Sequence, residues 1–198
     1  MTAIVTPWDY TVDIDEGTSL PPLITATELR TLMPRLSSTD ERLDAVLDNV
    51  SAAVRDYCGW HISPSLTCSF TGEGEGSLLM LPSMGVTAVN SLVMDGREIS
   101  ASDYWWKSSG MVKLKWCKFN LGWRNVECEY VAGFNAQAVA QAVAQIAANA
   151  LVASPGVREE HAGSVGVTYN QTGSGITGGV SILARDMELL APYKLTRA

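Results

Sequence analysis

Histidine and paired cysteines are scarce in this sequence, which excludes several kinds of site. The 198 residues contain two histidines and four cysteines, and no two cysteines form a CxxC pair. A structural zinc site needs two close pairs of ligands, and only Cys58 and His61 lie near each other in the sequence. The cysteines are therefore predicted to be small buried side chains in a reducing compartment, and no metal or other cofactor is expected.

Long apolar runs and an excess of positive charge are missing too. No stretch approaches about 18 apolar residues, and the amino terminus lacks the basic and apolar regions of a signal peptide. We therefore expect no membrane segment and a location in the cytoplasm. The net charge is −7, and residues 1–60 contain ten acidic and four basic residues. Such a chain repels phosphate, so binding of DNA through counterion release is disfavoured.

The motifs of common enzyme classes are also absent from the sequence. The glycine-rich stretches 72–76 and 173–179 match neither the phosphate-loop nor the dinucleotide-binding pattern, and no GxSxG nucleophile elbow occurs. Glu127 and Glu129 form an acidic pair, but residues two apart in a strand share one face and are simply solvated there. The chain is predicted not to be an enzyme, and a small cytosolic hydrolase is the weakest alternative.

Two capping boxes mark the beginnings of helices in the first third of the chain. In TATE (residues 25–28) and STDE (38–41), the hydroxyl and the carboxylate can each bind a free backbone N–H of the other residue. The second helix is predicted to end at Gly59 and to bury one face, formed by Leu43, Val46, Leu47, Val50, Val54 and Tyr57. Residues 1–24 show no sustained period and are predicted to form an extended arm that orders against a neighbour.

Short β-prone runs separated by glycine fill residues 65–131. A hairpin is predicted around residues 72–76, and Asp95-Gly96 suits the two positive φ angles of a type I′ turn. The run NVECEYV alternates apolar and polar residues, as a half-buried strand does. Residues 104–124 interleave tryptophans with lysines. We interpret them as buried aromatics beside a lysine-rich sheet edge, with a protein interface as the main alternative and a nucleic-acid platform as a weaker one.

An alanine-rich helix is predicted from Asn135 to the Pro155-Gly156 stop. Its small residues make it thin, so other backbones can approach it, and we expect subunits to pack through Val139, Val143 and Ile146. Residues 156–180 are rich in Gly, Ser and Thr and are predicted to form a flexible crossing segment. A last helix is predicted over 182–190. The apolar residues of this helix and of the terminus are Ile182, Leu183, Met187, Leu190, Pro192, Tyr193 and Leu195.

The order of these pieces resembles the head-tail connector family of siphophages, also described as adaptor or head completion proteins. The resemblance covers about residues 24–198. Its more specific parts are VMDG at 93–96, YVAGF at 130–134 leading into a helix, and LAPY at 190–193. The family often has Val-Pro and a charged residue after the Gly-aromatic pair, where this chain has NAQA.

This resemblance implies a structural subunit of a tailed phage, located in the virion neck and assembled in the cytoplasm of the host bacterium. It implies a homo-oligomeric ring, commonly a dodecamer, which docks on the portal protein and carries a stopper or tail-completion protein. DNA would pass through the ring without specific binding. By the same resemblance, the seven C-terminal apolar residues are expected to dock on the portal, with avidity from their repetition around the ring. The alternative is a protein-binding module of phage or host that forms no ring.

The expected fold is α+β. A small helical core of three to four helices is expected over residues 25–155, with an antiparallel β insertion at about 65–131. An extended N-terminal arm is expected over 1–24, and a flexible crossing segment with a C-terminal docking tail over 156–198.

Overall fold

The computed structural model describes residues 2–15, 17, 19–34, 42–135, 137–152, 159–162, 165–168 and 182–195. The fold is α+β, and the chain divides into two compact units. The β unit consists of Met1–Leu20, Gly59–Asn135 and Tyr193–Ala198, and the helical unit consists of Pro21–Cys58 and Ala136–Pro192. This division differs from the expected arm, core and tail, because segments from both ends of the chain join the β unit.

The β unit contains two antiparallel sheets in its described part. The larger one has the strand order β1 (Thr2–Val5), β2 (Tyr10–Ile14), β3 (Leu66–Gly72), β9 (Val126–Ala132), β5 (Val86–Met94) and β6 (Arg97–Glu98). The smaller one has the order β4 (Leu78–Met80), β8 (Met111–Leu114) and β7 (Tyr104–Trp106). Strand β9 alternates as its sequence predicts, since Glu127 and Glu129 are exposed while four residues are buried: Val126, Cys128, Tyr130 and Ala132.

Turn chemistry predicted one of the two hairpins correctly. Met94 pairs with Arg97 across Asp95 and Gly96, whose φ angles are 51° and 73°, so the predicted turn is confirmed. The hairpin predicted around residues 72–76 is wrong. Strand β3 pairs with β2 and β9, whereas β4 pairs with β8 in the other sheet. The glycines of this stretch therefore carry the chain from one sheet to the other.

The segment predicted as an extended arm is part of the folded chain. Strand β2 pairs with β3 in the register Tyr10 to Phe70, and Tyr10, Val12 and Ile14 are buried. The YTVDI run alternates in the same way as β9, and this alternation buries one of its faces. The expectation of an arm over residues 1–24 is thus corrected, because Tyr10, Val12 and Ile14 are covered by their own chain.

The helical unit contains α1 (Ala26–Leu32), α2 (Leu43–Cys58), α3 (Gln137–Val152) and α4 (Ala184–Leu190), with a short hairpin of β10 (Glu159–Ala162) and β11 (Val165–Thr168). The capping box of α1 is confirmed, because Thr25 Oγ1 accepts the Glu28 N–H at 3.2 Å and the Glu28 carboxylate accepts the Thr25 N–H at 2.7 Å. The box predicted at residues 38–41 lies outside the described residues.

Helix α2 buries most of the face predicted from its sequence. Leu43, Leu47, Val50 and Val54 are buried, while Val46 and Tyr57 are half-buried. The Ser51 hydroxyl donates to Leu47 O at 2.6 Å and accepts the N–H of Leu23 at 2.8 Å, which fixes the preceding segment to the helix. Among the described residues, no helix combines the length and the apolar character needed to cross a membrane.

Helix α3 packs inside its own unit. Val139, Val143 and Ile146 have exposures of 1%, 0% and 1%, and Ala144 and Ala147 beside them are fully buried. The predicted role of these three residues in packing subunits together is corrected, because their side chains are already enclosed by the subunit itself. The small alanines do permit close approach of backbones, but the approaching elements are α1, α2 and α4 of the same chain.

Leu47 provides a test of this packing. Leu47→Asp places a carboxylate where the exposure is 1%, so we expect the free energy of unfolding to fall by several kcal/mol in urea titrations. Asn49→Asp, which adds the same group on the exposed face of α2, is the control and should change little. Equal stability of the two variants would contradict the assignment of the buried face.

Cysteine reactivity gives a second test. Cys58, Cys68 and Cys128 are buried, and Cys117 is exposed. Burial raises the pKa values of the Cys68 and Cys128 thiols to about 12, so both stay protonated and unreactive at pH 8. We expect iodoacetamide at pH 8 to label one thiol in the native protein, none in Cys117→Ser, and four in urea, as counted by intact mass. Rapid native labelling of two or more thiols would contradict this core.

Candidate protein interface

Residues 104–124, here named the Trp/Lys segment, expose five of their large apolar side chains. The exposed fractions are 83% for Trp116, 103% for Leu121 and 81% for Trp123, and Trp105 and Trp106 are exposed as well. The interpretation of these tryptophans as buried aromatics of a sheet is wrong. Since several large apolar side chains are seldom exposed together without a partner, the alternative interpretation, a protein interface, is favoured.

Strands β7 and β8 give this segment a regular surface. Lys113 of β8 lies directly opposite Trp105 of β7 on one side and Leu78 of β4 on the other, so all three side chains share the outer face of the smaller sheet. Lys115 directly follows β8, and its Nζ atom lies 5.1 Å from the centre of the Trp105 ring. The same Nζ donates to Ser102 O at 2.5 Å, so the ammonium group is held over the aromatic ring.

The loop that follows β8 is anchored at its base. The Asp95 carboxylate accepts hydrogen bonds from the side-chain amides of Asn120 and of Asn125, the latter at 3.1 Å. The Asn125 amide also donates to Asn120 O at 3.2 Å, and the Asp95 N–H donates to Asn125 O at 2.9 Å. The amide donors of Asn120 and Asn125 hold the pKa of the Asp95 carboxyl below its usual value. The carboxylate is therefore the form that closes the loop.

A second anchor lies on the other side of the loop. The Phe119 N–H donates to Gly76 O at 2.7 Å, and the Phe119 ring is buried. A Cβ atom at Gly74 would overlap this ring, so the glycine makes room for it. Because Phe119 points inward while Leu121 and Trp123 point outward, the exposed apolar side chains sit on a loop that is fixed to the β unit.

The charge of the Trp/Lys segment is opposite to that of the chain. It contains five basic residues and no acidic one, so the remaining 177 residues have a net charge of −12. The five are Lys107, Lys113, Lys115, Lys118 and Arg124. A cationic surface with exposed tryptophans would suit an acidic protein surface, with tryptophan as the apolar anchor.

The residues predicted to dock on a portal divide into buried and exposed sets. Leu190 is fully buried, which corrects its assignment as a docking residue. Asp186 is buried as well and caps α4, since its carboxylate accepts the Leu183 N–H at 3.0 Å. Ile182 and Leu183 are half-buried. Met187 and Pro192 are exposed. Leu189 is exposed as well, but it was not predicted as a docking residue, because it lies outside the apolar period that Met187 and Leu190 share.

The last predicted docking residues, Tyr193 and Leu195, are half-buried in the β unit. Tyr193 O accepts the indole N–H of Trp60 at 2.7 Å, and its ring packs edge-on against Phe134 with 5.4 Å between centres. Leu195 lines an open cavity of about 870 Å³ together with Gly59 and residues 73–76, 78 and 80–82. Tyr193 therefore supports the subunit's own fold, and its substitution would disturb that fold as well as any partner.

His61, which lies near Cys58 in the sequence, holds three segments together. Its Nδ1 lies 2.8 Å from Tyr10 Oη, its Nε2 lies 3.1 Å from Ala132 O, and its backbone N–H donates to Tyr10 Oη at 2.9 Å. With the ring proton on Nε2, the imidazole donates to Ala132 and accepts from Tyr10. Both ring nitrogens are engaged in β-unit contacts. In the described part of the chain, no three His, Cys, Asp or Glu side chains are grouped as metal ligands would be.

Fold and surface together define a class: a small α+β protein that presents large apolar side chains at its surface, as a subunit of a larger assembly does. Solved structures that share this fold include chains from gene transfer agent (GTA) particles. A chain from the neck of a native particle, computed with C12 symmetry, has a TM-score of 0.54 and 18% identity, over 94% of this chain and 96% of that one.

Two further structures show the same fold. A chain from the neck of an empty GTA particle, computed with C6 symmetry, has a TM-score of 0.56 and 18% identity, and one from the virion of a native GTA particle has 0.53 and 19%. Each match covers 93% of this chain and 96% of the other. No protein-family model matches the sequence, and no curated protein does either. At these identities the likeness establishes a shared fold along nearly the whole chain.

The loop anchor leads to a testable prediction. Asp95→Ala removes the acceptor of both asparagine amides, so the loop should open and trypsin should cleave faster after Lys118 and Arg124, both of which are exposed. Limited proteolysis followed by mass spectrometry measures the rate at each site. Asp44→Ala, which removes an exposed carboxylate from α2, should leave both rates unchanged. Equal cleavage of the two variants would contradict the anchoring role of Asp95.

Proposed function

We propose that this chain is a structural subunit of the neck of a tailed-phage-like particle, a head-to-tail connector that assembles into a ring. The observation that carries the proposal is the full-length likeness of its fold to chains of GTA particle necks. The exposed tryptophans of the Trp/Lys segment support it, because a subunit destined for assembly keeps apolar surface for its neighbours. The chain would act by assembly and not by catalysis, in the virion neck, after synthesis in the bacterial cytoplasm.

Twelve copies are the stoichiometry that we favour. The C12 symmetry with which one similar neck was computed supports this number, and the C6 symmetry of the other is compatible with it. In such a ring each subunit presents the same surfaces to a portal protein on one side and to a stopper or tail-completion protein on the other. DNA would pass through the centre. The net charge of −7 suits a channel wall that does not retain phosphate.

The portal anchor is proposed to lie on the exposed side of α4 and its continuation. Met187 and Leu189 are exposed, while Leu190 of the same helix is buried. The buried residue fixes the helix to its unit, and the exposed pair with Pro192 remains available for a partner. Contacts that are weak in one subunit would become firm when twelve copies bind one portal, because the second and later contacts form at high effective concentration.

Particle mass tests the proposed ring. The chain has a mass of 21.3 kDa, so twelve copies weigh about 256 kDa. We expect light scattering to give this mass for the full-length protein bound to the portal of its own particle, after subtraction of the portal mass. Negative-stain images should show a ring on one end of the portal. A monomer that never associates with the portal would contradict the proposal.

The portal anchor is tested by a double variant. Met187→Ser with Leu189→Ser removes two exposed apolar side chains, and we expect docking on the portal to weaken by about 1–2 kcal/mol per subunit. Leu32→Ser is the matched control, since Leu32 of α1 has the same 40% exposure as Met187. Co-sedimentation with portal at several concentrations measures the effect. If Leu32→Ser weakens docking on the portal by the same amount, the anchor does not lie on α4.

A further inference from the structure

We propose that the Trp/Lys segment of one copy binds the outer face of the six-stranded sheet of the next copy. This inference rests on the proposed ring and names the surfaces that would join its subunits. The partner is a second copy of this chain, and the contact is heterologous, because two different surfaces of the same chain meet.

The outer face of the six-stranded sheet is defined by strand register. Glu129 of β9 lies opposite Ser69 of β3 and Ser91 of β5. Glu127 lies opposite Thr71 and Val93, and Val93 in turn lies opposite Glu98 of β6. On β2, Asp13 lies opposite Thr67, one strand away from β9. Since Val126, Cys128 and Tyr130 occupy the buried face, these carboxylates belong to the other one.

The charged residues of this outer face are all acidic. Its four carboxylates are Asp13, Glu98, Glu127 and Glu129, and the residues between them are hydroxyl residues and Val93. The six strands contain a single basic residue, Arg97, which lies opposite Met94, in the row of the buried Val126. The face therefore carries four acidic groups and no basic one. Glu127 and Glu129 are exposed and lie at its centre, because β9 is an inner strand of the sheet.

The Trp/Lys segment complements this face in charge and in chemistry. The segment has five basic residues and the outer face has four acidic ones, so their charges nearly balance. Contact between the segment and another cationic protein surface would be unfavourable, because like charges would meet. Trp105 and Lys113 are cross-strand neighbours on one face of the smaller sheet, so they can contact a second sheet face together. The anchored loop presents Leu121 and Trp123 without further ordering, so little conformational entropy is lost on binding.

Other occupants fit less well. Two Trp/Lys segments cannot pair with each other, because each carries five basic residues. Double-stranded DNA could bind the positive charge of the segment, but the net charge of −12 on the remaining residues would repel it. DNA also offers no apolar surface to Leu121. Helix α2 also has exposed acids, Asp44 and Asp48, but the exposed Arg42 precedes them.

Charge exchange between the two surfaces provides the test. The acid-face variant is Glu127→Lys with Glu129→Lys, and the segment variant is Lys113→Glu with Lys118→Glu; all four side chains are exposed. We expect self-association of the full chain in sedimentation velocity, weakening with salt over the Debye range. Each variant alone should associate about tenfold or more weakly, because like charges then meet. An equimolar mixture of the two should recover most of the wild-type association, since alternating copies restore opposite charges at every contact.

The controls separate this inference from the proposed function. Asp44→Lys with Asp48→Lys should associate like the wild type, and thermal melts should show that all variants are folded. If rings persist in both surface variants, the inference is overturned and the neck role stays intact. The same conclusion follows if only the α2 variant associates more weakly than the wild type. A wild type that stays monomeric both alone and with portal would count against the ring and the inference together. If the wild type binds duplex DNA and only the segment variant loses this binding, the partner of the Trp/Lys segment is DNA and not a second copy of the chain.

Discussion

Strand β9 is the element on which the β unit depends. It is hydrogen-bonded to β3 along one edge and to β5 along the other, so its backbone has no free side. One face is buried along its whole length, and burial raises the pKa of the Tyr130 phenol, whose hydroxyl lies 2.9 Å from the hydroxyl of Ser83. At its end, Ala132 O accepts from His61. Interior packing, two side-chain hydrogen bonds and two strand ladders therefore meet on one segment of seven residues.

The acidic surface follows from the same constraint. Because side chains alternate along a strand, burial of Cys128 and Tyr130 directs Glu127 and Glu129 to solvent. A shift of register by one residue would bury both carboxylates, which makes the alternative pairing very unfavourable. The position of the acids is thus set by the core and needs no additional interaction. A surface that is fixed in this way can serve as a preformed binding face for a neighbour.

The sequence predicted local structure well and long-range pairing poorly. The Asp95-Gly96 turn, the alternation in β9 and most of the apolar stripe of α2 depend on neighbours a few residues away, and they are found as predicted. Tyr10 pairs with Phe70, and no local pattern says which distant strand will accept the YTVDI run. For the same reason glycines 72–76 suggested a hairpin, although the two strands that they connect pair with other partners.

Exposure was the other quantity that the sequence could not provide. A tryptophan among β-prone residues is usually buried, yet Trp116 and Trp123 lie on a loop whose buried position is taken by Phe119. The converse holds in the C-terminal segment, where the apolar period predicts docking residues but Leu190 and Tyr193 pack in their own subunit. An apolar period shows that a face must be covered, but not by which chain. Only the packing of the folded subunit separates the two cases.

Anchored and exposed side chains occur side by side in both candidate surfaces. In α4, Leu190 is buried next to the exposed Leu189, and in the loop after β8 the buried Phe119 precedes the exposed Leu121. Each buried residue fixes the backbone from which its exposed neighbour projects. Because the backbone is ordered before any partner arrives, most of the entropy cost of ordering is met during folding and not during binding. In the proposed ring, this arrangement would let individually small contacts add up.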